Sequence, residues 1–332
     1  MPVTVKSFAK INLGLRIGPA RADGFHELLT VYQTIGLHDV IRVAVGRGTG
    51  IEIRCDDLRV PRDESNTCFR IVQRAMTALR ARGRVVIQIE KRLPVQGGMG
   101  GASANAVATL LALERALRKT LTQAEKLRIA AEVGSDLPLF LVGGAVLGVG
   151  RGELVYPLPD FPATACVVLT PEMGVSTPKA FAEWDRLCET RPAENESGNK
   201  LTASHSFDRM NQLGCGLSAW LSGLYSSAPS DLLERGGRAG NPLLRLDRAG
   251  IENDFEQVVF PEYPKLGEAK RALVRAGAKY ASLSGSGSTL YGLFASPLAA
   301  ARAVTQLRKQ GWAAQATSTV SRSAYRRRLF AA

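Results

Sequence analysis

The sequence predicts an α+β fold in two domains, on three observations. Period-2 strand patterns alternate with helical spacing, but without the strict strand–helix–strand repeat of a doubly wound sheet. A glycine-rich stretch, Leu93 to Asn105, joins a strand pattern to a long helix rich in alanine and leucine. Three prolines between Pro157 and Pro162 then mark a boundary, giving domains of residues 1–160 and 161–332.

At 332 residues, with 45% hydrophobic and 22% charged residues, the chain is long enough for two ordinary cores. No apolar run reaches the roughly 18 residues of a membrane span. Met1 to Lys6 leads straight into a strand pattern without a signal-peptide core, so a cytoplasmic protein is expected. Cys55, Cys68, Cys166, Cys188 and Cys215 have no C-x-x-C spacing, and the histidines are only His26, His38 and His205. This argues against a disulfide framework and a transition-metal site. The net charge of +13 invites a nucleic-acid reading, but the basic residues are dispersed. The one dense run, Arg326-Arg327-Arg328, reads as a solvated tail, and an anionic small substrate accounts equally well for part of the excess.

Ala9, Ile11, Leu13 and Leu15 occupy one face of the first strand, so Lys10 and Asn12 project together from the other. Asp23-Gly24 supplies a turn and sets Phe25 and His26 at the mouth of the next strand. Strand patterns follow over Leu28–Gln33, Val40–Val45 and Ile51–Cys55. Ser65 or Asn66 caps a helix carrying Phe69, Val72, Ala75, Met76 and Leu79, with Gly83 at the stop. Val85, Ile87 and Ile89 alternate as a strand before the glycine loop, and Ala106, Leu110, Leu113 and Leu117 repeat as a helix after it. Thr122 to Glu125 is a capping box opening a helix that ends at Gly134. Asp136 then stands between that stop and Pro138, at the edge of the apolar run Leu139–Val142, where an isolated aspartate is commonly a cap or Asx turn. Gly143-Gly144 and Gly148 to Glu153 frame another strand.

Beyond the boundary, Cys166–Leu169 reads as a buried strand, and Thr177-Pro178 as N-cap and first position of a helix bearing Phe181, Trp184 and Leu187. Glu189–Lys200 reads as a polar loop, and Gly236 to Gly240 interrupts helical material. Pro264 opens a helix to Gly277, strands cover Tyr280–Leu283 and Thr289–Phe294 around a second glycine-serine loop, and Ser296-Pro297 opens a helix before the last strand.

The first loop has the chemistry of an anion site. Gly97, Gly98, Gly100 and Gly101 let backbone approach a ligand, and the free N–H groups and positive end of the following helix favour phosphate. Ala102-Ser103 stands where a Walker loop needs lysine followed by serine or threonine, which excludes that class. A dinucleotide fingerprint lacks its third glycine here, and remains second on local grounds.

Lys10 with Asn12, the loop over 94–105, Asp136 after Gly134 and the loop Gly285-Ser286-Gly287-Ser288 together resemble the three motifs of the GHMP kinases. Ala9–Leu13, Arg21–His26, Gly134–Pro138, Gly148–Glu153 and Glu252–Glu256 resemble, more narrowly, the branch that phosphorylates a CDP-linked sugar alcohol on the non-mevalonate isoprenoid route. The resemblance covers residues 5–160 and 250–320 and leaves a variable region at 190–250.

It implies a two-domain kinase with its active site in the cleft, an N-terminal ATP-binding domain, a substrate-side second domain, and ATP with Mg²⁺ as cofactors. By position, Lys10 and Asp136 match the catalytic pair, and Asn12 a polar residue near the acceptor hydroxyl. His26 matches the residue that recognises cytosine, while Phe25 and Phe181 match aromatics on that base. Pro94, Gly97, Gly98, Met99, Gly100, Gly101, Ala102, Ser103 and Ala104 match the ATP loop, with Ser103 the candidate Mg²⁺ contact. Gln96, Ala102 and Ala104 depart from the usual residues of that loop, and Asn105 replaces a frequent aspartate. The competing readings are a homoserine- or mevalonate-type acceptor on the same fold, and a non-catalytic nucleotide- or nucleic-acid-binding protein that needs neither Lys10 nor Asp136.

Overall fold

The computed structural model describes residues 1–190, 202–225, 241–246 and 250–330, with backbone alone for 202–208 and 223–225. Two antiparallel-rich sheets carry the chain. The first is built on a long hairpin, β1 (Val3–Ala20) and β2 (His26–Gly46), turned by Arg21–Phe25 with Gly24 at φ +80°. The Leu28–Gln33 and Val40–Val45 patterns are therefore parts of one strand. β2 offers its other edge to β5 (Ala145–Val149) with its first half and to β4 (Arg84–Glu90) with its second. β3 (Ile51–Cys55) runs parallel to β4, and β6 (Leu154–Pro157) closes the far edge. The second sheet has the order β10-β7-β9-β8, from β7 (Ala165–Leu169), β8 (Tyr280–Leu283), β9 (Leu290–Phe294) and β10 (Ala314–Ser318).

Helices α1 (Thr67–Ala78), α2 (Gly101–Leu117), α3 (Gln123–Val133) and α4 (Leu137–Val142) share a core with the first sheet. Asn66 caps α1 as expected, but the stop is Arg80, not Gly83. Arg80 takes φ +46°, and its N–H and that of Ala81 return to Thr77 and Met76 in a Schellman pair, while Gly83 belongs to the entry of β4. The capping box at Thr122 and Glu125 is formed.

The second sheet packs with α5 (Thr177–Thr190), α7 (Glu256–Glu262), α8 (Pro264–Arg275) and α9 (Pro297–Lys309). Ala180 donates its N–H to Ser176, so the cap of α5 lies one residue before Thr177. Helix α5 includes Glu189 and Thr190; the remainder of the expected 189–200 loop and the 236–240 glycine run lie outside the described residues. Helix α6 (Thr202–Tyr225) packs on β1, where a Cβ at Gly18 would lie 2.4 Å from Met210 Sδ.

A third core joins the two sheets. Ala9, Ile11 and Leu13 from β1 meet Cys166, Val168, Tyr291 and Leu293 from β7 and β9, which explains why both faces of β1 are buried. At the chain end Arg326–Arg328 are exposed, as the sequence suggests, but they belong to a helix and not to a tail. Residues Arg322–Arg328 form helix α10, Tyr325 is buried in the first core with its hydroxyl on the Phe140 carbonyl, and Arg328 stands over the Phe8 ring. None of the five cysteines is in a disulfide.

Candidate active site

Lys10 and Asn12 lie between two register shifts of the β1–β2 hairpin, where the bulges turn the strand beneath both glycine loops. Lys10 is 3% exposed, and its Nζ donates to Asn12 Oδ1 at 2.7 Å and stands 3.5 Å from Asp136 Oδ2. Asn12 Nδ2 donates in turn to Thr30 Oγ1 at 2.8 Å. Asp136 occupies the N-cap position of α4 but makes no side-chain capping bond. Its carboxylate, 32% exposed, instead accepts from the Tyr32 hydroxyl at 3.1 Å and faces Lys10.

The glycine loop is anchored to β1 and to the second sheet. Lys10 N–H donates to the Met99 carbonyl at 3.1 Å, Thr289 N–H to that of Gly97 at 3.2 Å, and Ser284 Oγ to that of Gly98 at 3.0 Å. A Cβ at Gly98 would lie 2.2 Å from the Ser284 carbonyl oxygen, and one at Gly100 2.9 Å from Phe140 Cζ. Both glycines take positive φ. Gln96 does so too, at φ +59°, which is why this position suits a glycine and why Gln96 is tolerated only with local strain. Met99 and Ala104 turn their side chains into the core, so only their backbone is offered to a ligand. Pro94 packs against Gly97, the Ala102 carbonyl accepts from Thr67 Oγ1, and Gly101 to Ser103 form the first turn of α2, whose N–H groups lack intrahelical acceptors.

At the entry to β2 the structure brings His26 and Phe181 together, their rings stacked at 4.8 Å and 10°. His26 Nε2 lies 2.7 Å from Asp185 Oδ1, and Phe181 meets Phe255 edge-on. Phe25 stands apart from that stack, 49% exposed, with the Arg151 guanidinium 4.9 Å from its ring centroid.

Several residues in this architecture were missed in the sequence. Tyr32 is the strand partner of Asn12, but register shifts between the turn and Asn12 hide that pairing. Asn253 Nδ2 donates to the carbonyls of Leu283 and Gly285, fixing the second loop, and Thr177 Oγ1 meets Ser286 Oγ at 2.7 Å. Asp39, fully buried, accepts from Lys91 Nζ, the N–H groups of Arg92 and Leu93, and Asn105 Nδ2, fixing the approach to the glycine loop. A polar residue amid an apolar strand pattern was its only signal.

The chain matches the GHMP kinases N terminal domain over residues 66–144 and the GHMP kinases C terminal over residues 232–312. Its class is therefore that of an ATP-dependent phosphotransferase acting on an alcohol. Among curated proteins, it is 37% identical to the 4-diphosphocytidyl-2-C-methyl-D-erythritol kinase of Solibacter usitatus, over 97% of this chain and 90% of that protein. The same-named kinase of Synechococcus elongatus is 33% identical, over 92% and 91%. A crystal structure of 4-(cytidine 5'-diphospho)-2C-methyl-D-erythritol kinase superposes with a TM-score of 0.70 at 28% identity, covering 95% of this chain and 98% of that one. Homoserine kinase from Cytophaga hutchinsonii shares the fold, with a TM-score of 0.68 at 20% identity over 96% and 95%. The chain belongs to the 4-diphosphocytidyl-2-C-methyl-D-erythritol kinase family of the GHMP kinases.

Proposed function

We propose that the protein transfers the γ-phosphoryl group of ATP to the 2-hydroxyl of 4-diphosphocytidyl-2-C-methyl-D-erythritol, as a cytoplasmic enzyme of non-mevalonate isoprenoid synthesis. The observation that carries the reading is the meeting of Lys10 and Asp136, with Lys10 against Gly100 and Gly285 of the two glycine loops, in a chain 37% identical to a kinase of that name. Among the described residues no helix is long and apolar enough to cross a membrane, in keeping with a water-soluble substrate.

Phosphoryl transfer asks a protein for alignment and charge stabilisation. The phosphates of ATP fit against the glycine loop and the N-terminus of the 17-residue helix α2. Asp136, with one oxygen held by Tyr32, is placed to receive the acceptor's hydroxyl proton, and Lys10 presents a cation to the carboxylate and the transferring group. Asn12 holds Lys10 in place and supports the acceptor side. Ser103, in the first turn of α2, would be the residue to contact a Mg²⁺ ion carried in with the nucleotide. When bound with ATP that ion supplies charge neutralisation on the phosphates.

The test is turnover of ATP with three acceptors: the CDP-linked methylerythritol, homoserine and mevalonate. Phosphorylation of the first alone is expected. Turnover of either of the others in its place assigns a different acceptor, and ATP binding without turnover of any of them removes the enzymatic reading.

A further inference from the structure

We propose that Tyr32 is a positioning residue for the phosphoryl transfer, its hydroxyl holding one oxygen of Asp136 so that the other faces Lys10 and the acceptor. The inference rests on Lys10 and Asp136 being the reacting pair. Tyr32 touches both members: its Oη lies 3.1 Å from Asp136 Oδ1, and Lys10 Nζ stands 5.6 Å from its ring centroid. Asp136 has no capping bond to hold it, so among the described side chains the phenol and Lys10 are what fix its rotation.

The fold makes a slot for this phenol. A Cβ at Gly148 would lie 2.5 Å from Tyr32 Cε2, and one at Gly152 2.4 Å from Oη, so β5 and the turn after it close over ring and hydroxyl with two residues that lack a side chain. The ionisable groups around the hydroxyl are Lys10 from β1, Asp136 before α4 and Glu153 from the β5–β6 turn. Burial, and after it the Asp136 carboxylate, push the phenol well above its ordinary value, so Tyr32 remains a donor at any working pH. A carboxylate fixed through one oxygen presents the other along a defined line, an alignment that is felt in the chemical step more than in binding.

Tyr32→Phe removes the hydroxyl and keeps the ring over Lys10. The expected result is a fall in kcat of about tenfold, with KM for ATP and acceptor within about twofold and the melting temperature little changed. Gly152→Ala drives a methyl group into Oη but meets Cζ only at 3.6 Å, an ordinary contact. It should therefore lower kcat in the Tyr32 enzyme and not lower it further in the Tyr32→Phe background. The strain of a side chain at φ +96° is common to both backgrounds and cancels. Unchanged kcat in Tyr32→Phe, or equal losses from Gly152→Ala in both backgrounds, overturns the assignment. Asp136→Asn measured alongside separates the two readings. If it keeps full turnover, the Lys10–Asp136 pair fails and Tyr32 with it; if it loses turnover while Tyr32→Phe does not, only Tyr32 is misassigned.

Discussion

The Ser284 hydroxyl donates to the Gly98 carbonyl across 186 residues of chain, tying the glycine loop of the first sheet to that of the second. The first glycine loop is thus shaped by both halves of the molecule. Asn253 extends the tie by holding the carbonyls on either side of Ser284.

Gly98→Ala tests that junction. Its methyl group would lie 2.2 Å from a backbone carbonyl that cannot swing aside, at φ +74°. We expect the KM for ATP to rise by about tenfold or more, with a loss of stability in the range of strained backbone substitutions. Gly46→Ala, where nothing lies within 4 Å, is the control and should change neither. Equal behaviour of the two variants would separate the loop geometry from nucleotide binding.

Asp136→Asn should lower kcat by about 10²–10⁴-fold while ATP affinity is retained, the range for a positioned acid-base group. Lys10→Ala should be comparably damaging. Because the two side chains face each other at 3.5 Å and act as one unit, the double variant should cost far less than the product of the single losses. Strictly multiplicative losses would show that they act independently.

Much of this arrangement was legible because it rests on local chemistry. Alternation placed Lys10 and Asn12 on one face, four glycines announced a backbone-lined loop at the head of a long helix, and the capping box at Thr122 and the turn at Asp23-Gly24 formed as written. What escaped depends on contacts between distant segments. Arg80 takes the left-handed stop that Gly83 seemed to offer, because the helix and the turn after it satisfy that backbone first. Arg326 to Arg328 are exposed as the run suggests, but nothing in it announces the helix that the buried Tyr325 anchors. Tyr32 reads as an ordinary strand aromatic until the hairpin register and the approach of α4 bring Asp136 to it.

Asp254, fully buried, gathers the cations of Arg16 and Arg209 and the N–H of Ile17, fastening the start of α7 to β1. Asp254→Ala leaves two guanidinium groups facing each other without that carboxylate. The expected loss is about 3–5 kcal/mol of folding stability, the usual effect of removing one partner of a buried pair. A change in the urea midpoint corresponding to under about 1 kcal/mol, the scale of an exposed pair, would mean that the network is solvated.

Tyr32, Tyr280, Tyr291 and Tyr325 are buried side chains, and burial is the chief cause that raises each phenol above its ordinary value. A phenol whose folded pKa exceeds its unfolded one stabilises the fold fully below the unfolded value, about 10, and loses that contribution as pH rises towards the folded one. Stability should therefore fall steeply above about pH 10, and ultraviolet titration should show these four phenols ionising together with unfolding. Reversible ionisation of all four while the fold persists would contradict their burial.

The last prediction concerns the base of the acceptor. His26 Nε2 donates to Asp185 Oδ1 at 2.7 Å, so in the neutral ring Nδ1 is left as an acceptor. An acceptor suits the exocyclic amine of cytosine and opposes the carbonyl oxygen that uracil carries in its place. Phe181 stacks on the imidazole, and Phe25 keeps half its surface open with Arg151 nearby, a face on which the proposed base would stack. Base–aromatic stacking is worth roughly 1–3 kcal/mol, so Phe25→Ala and His26→Ala should each raise the KM for the CDP-linked acceptor by about tenfold or more, with that for ATP within about twofold. Asp185→Asn should erode the preference for the CDP-linked over the UDP-linked acceptor, because the amide can donate to Nε2 and so favours the tautomer in which Nδ1 carries the proton. If these variants weaken ATP and spare the acceptor, or if the wild-type enzyme takes the UDP-linked analogue equally well, His26, Phe25 and Phe181 do not read the base.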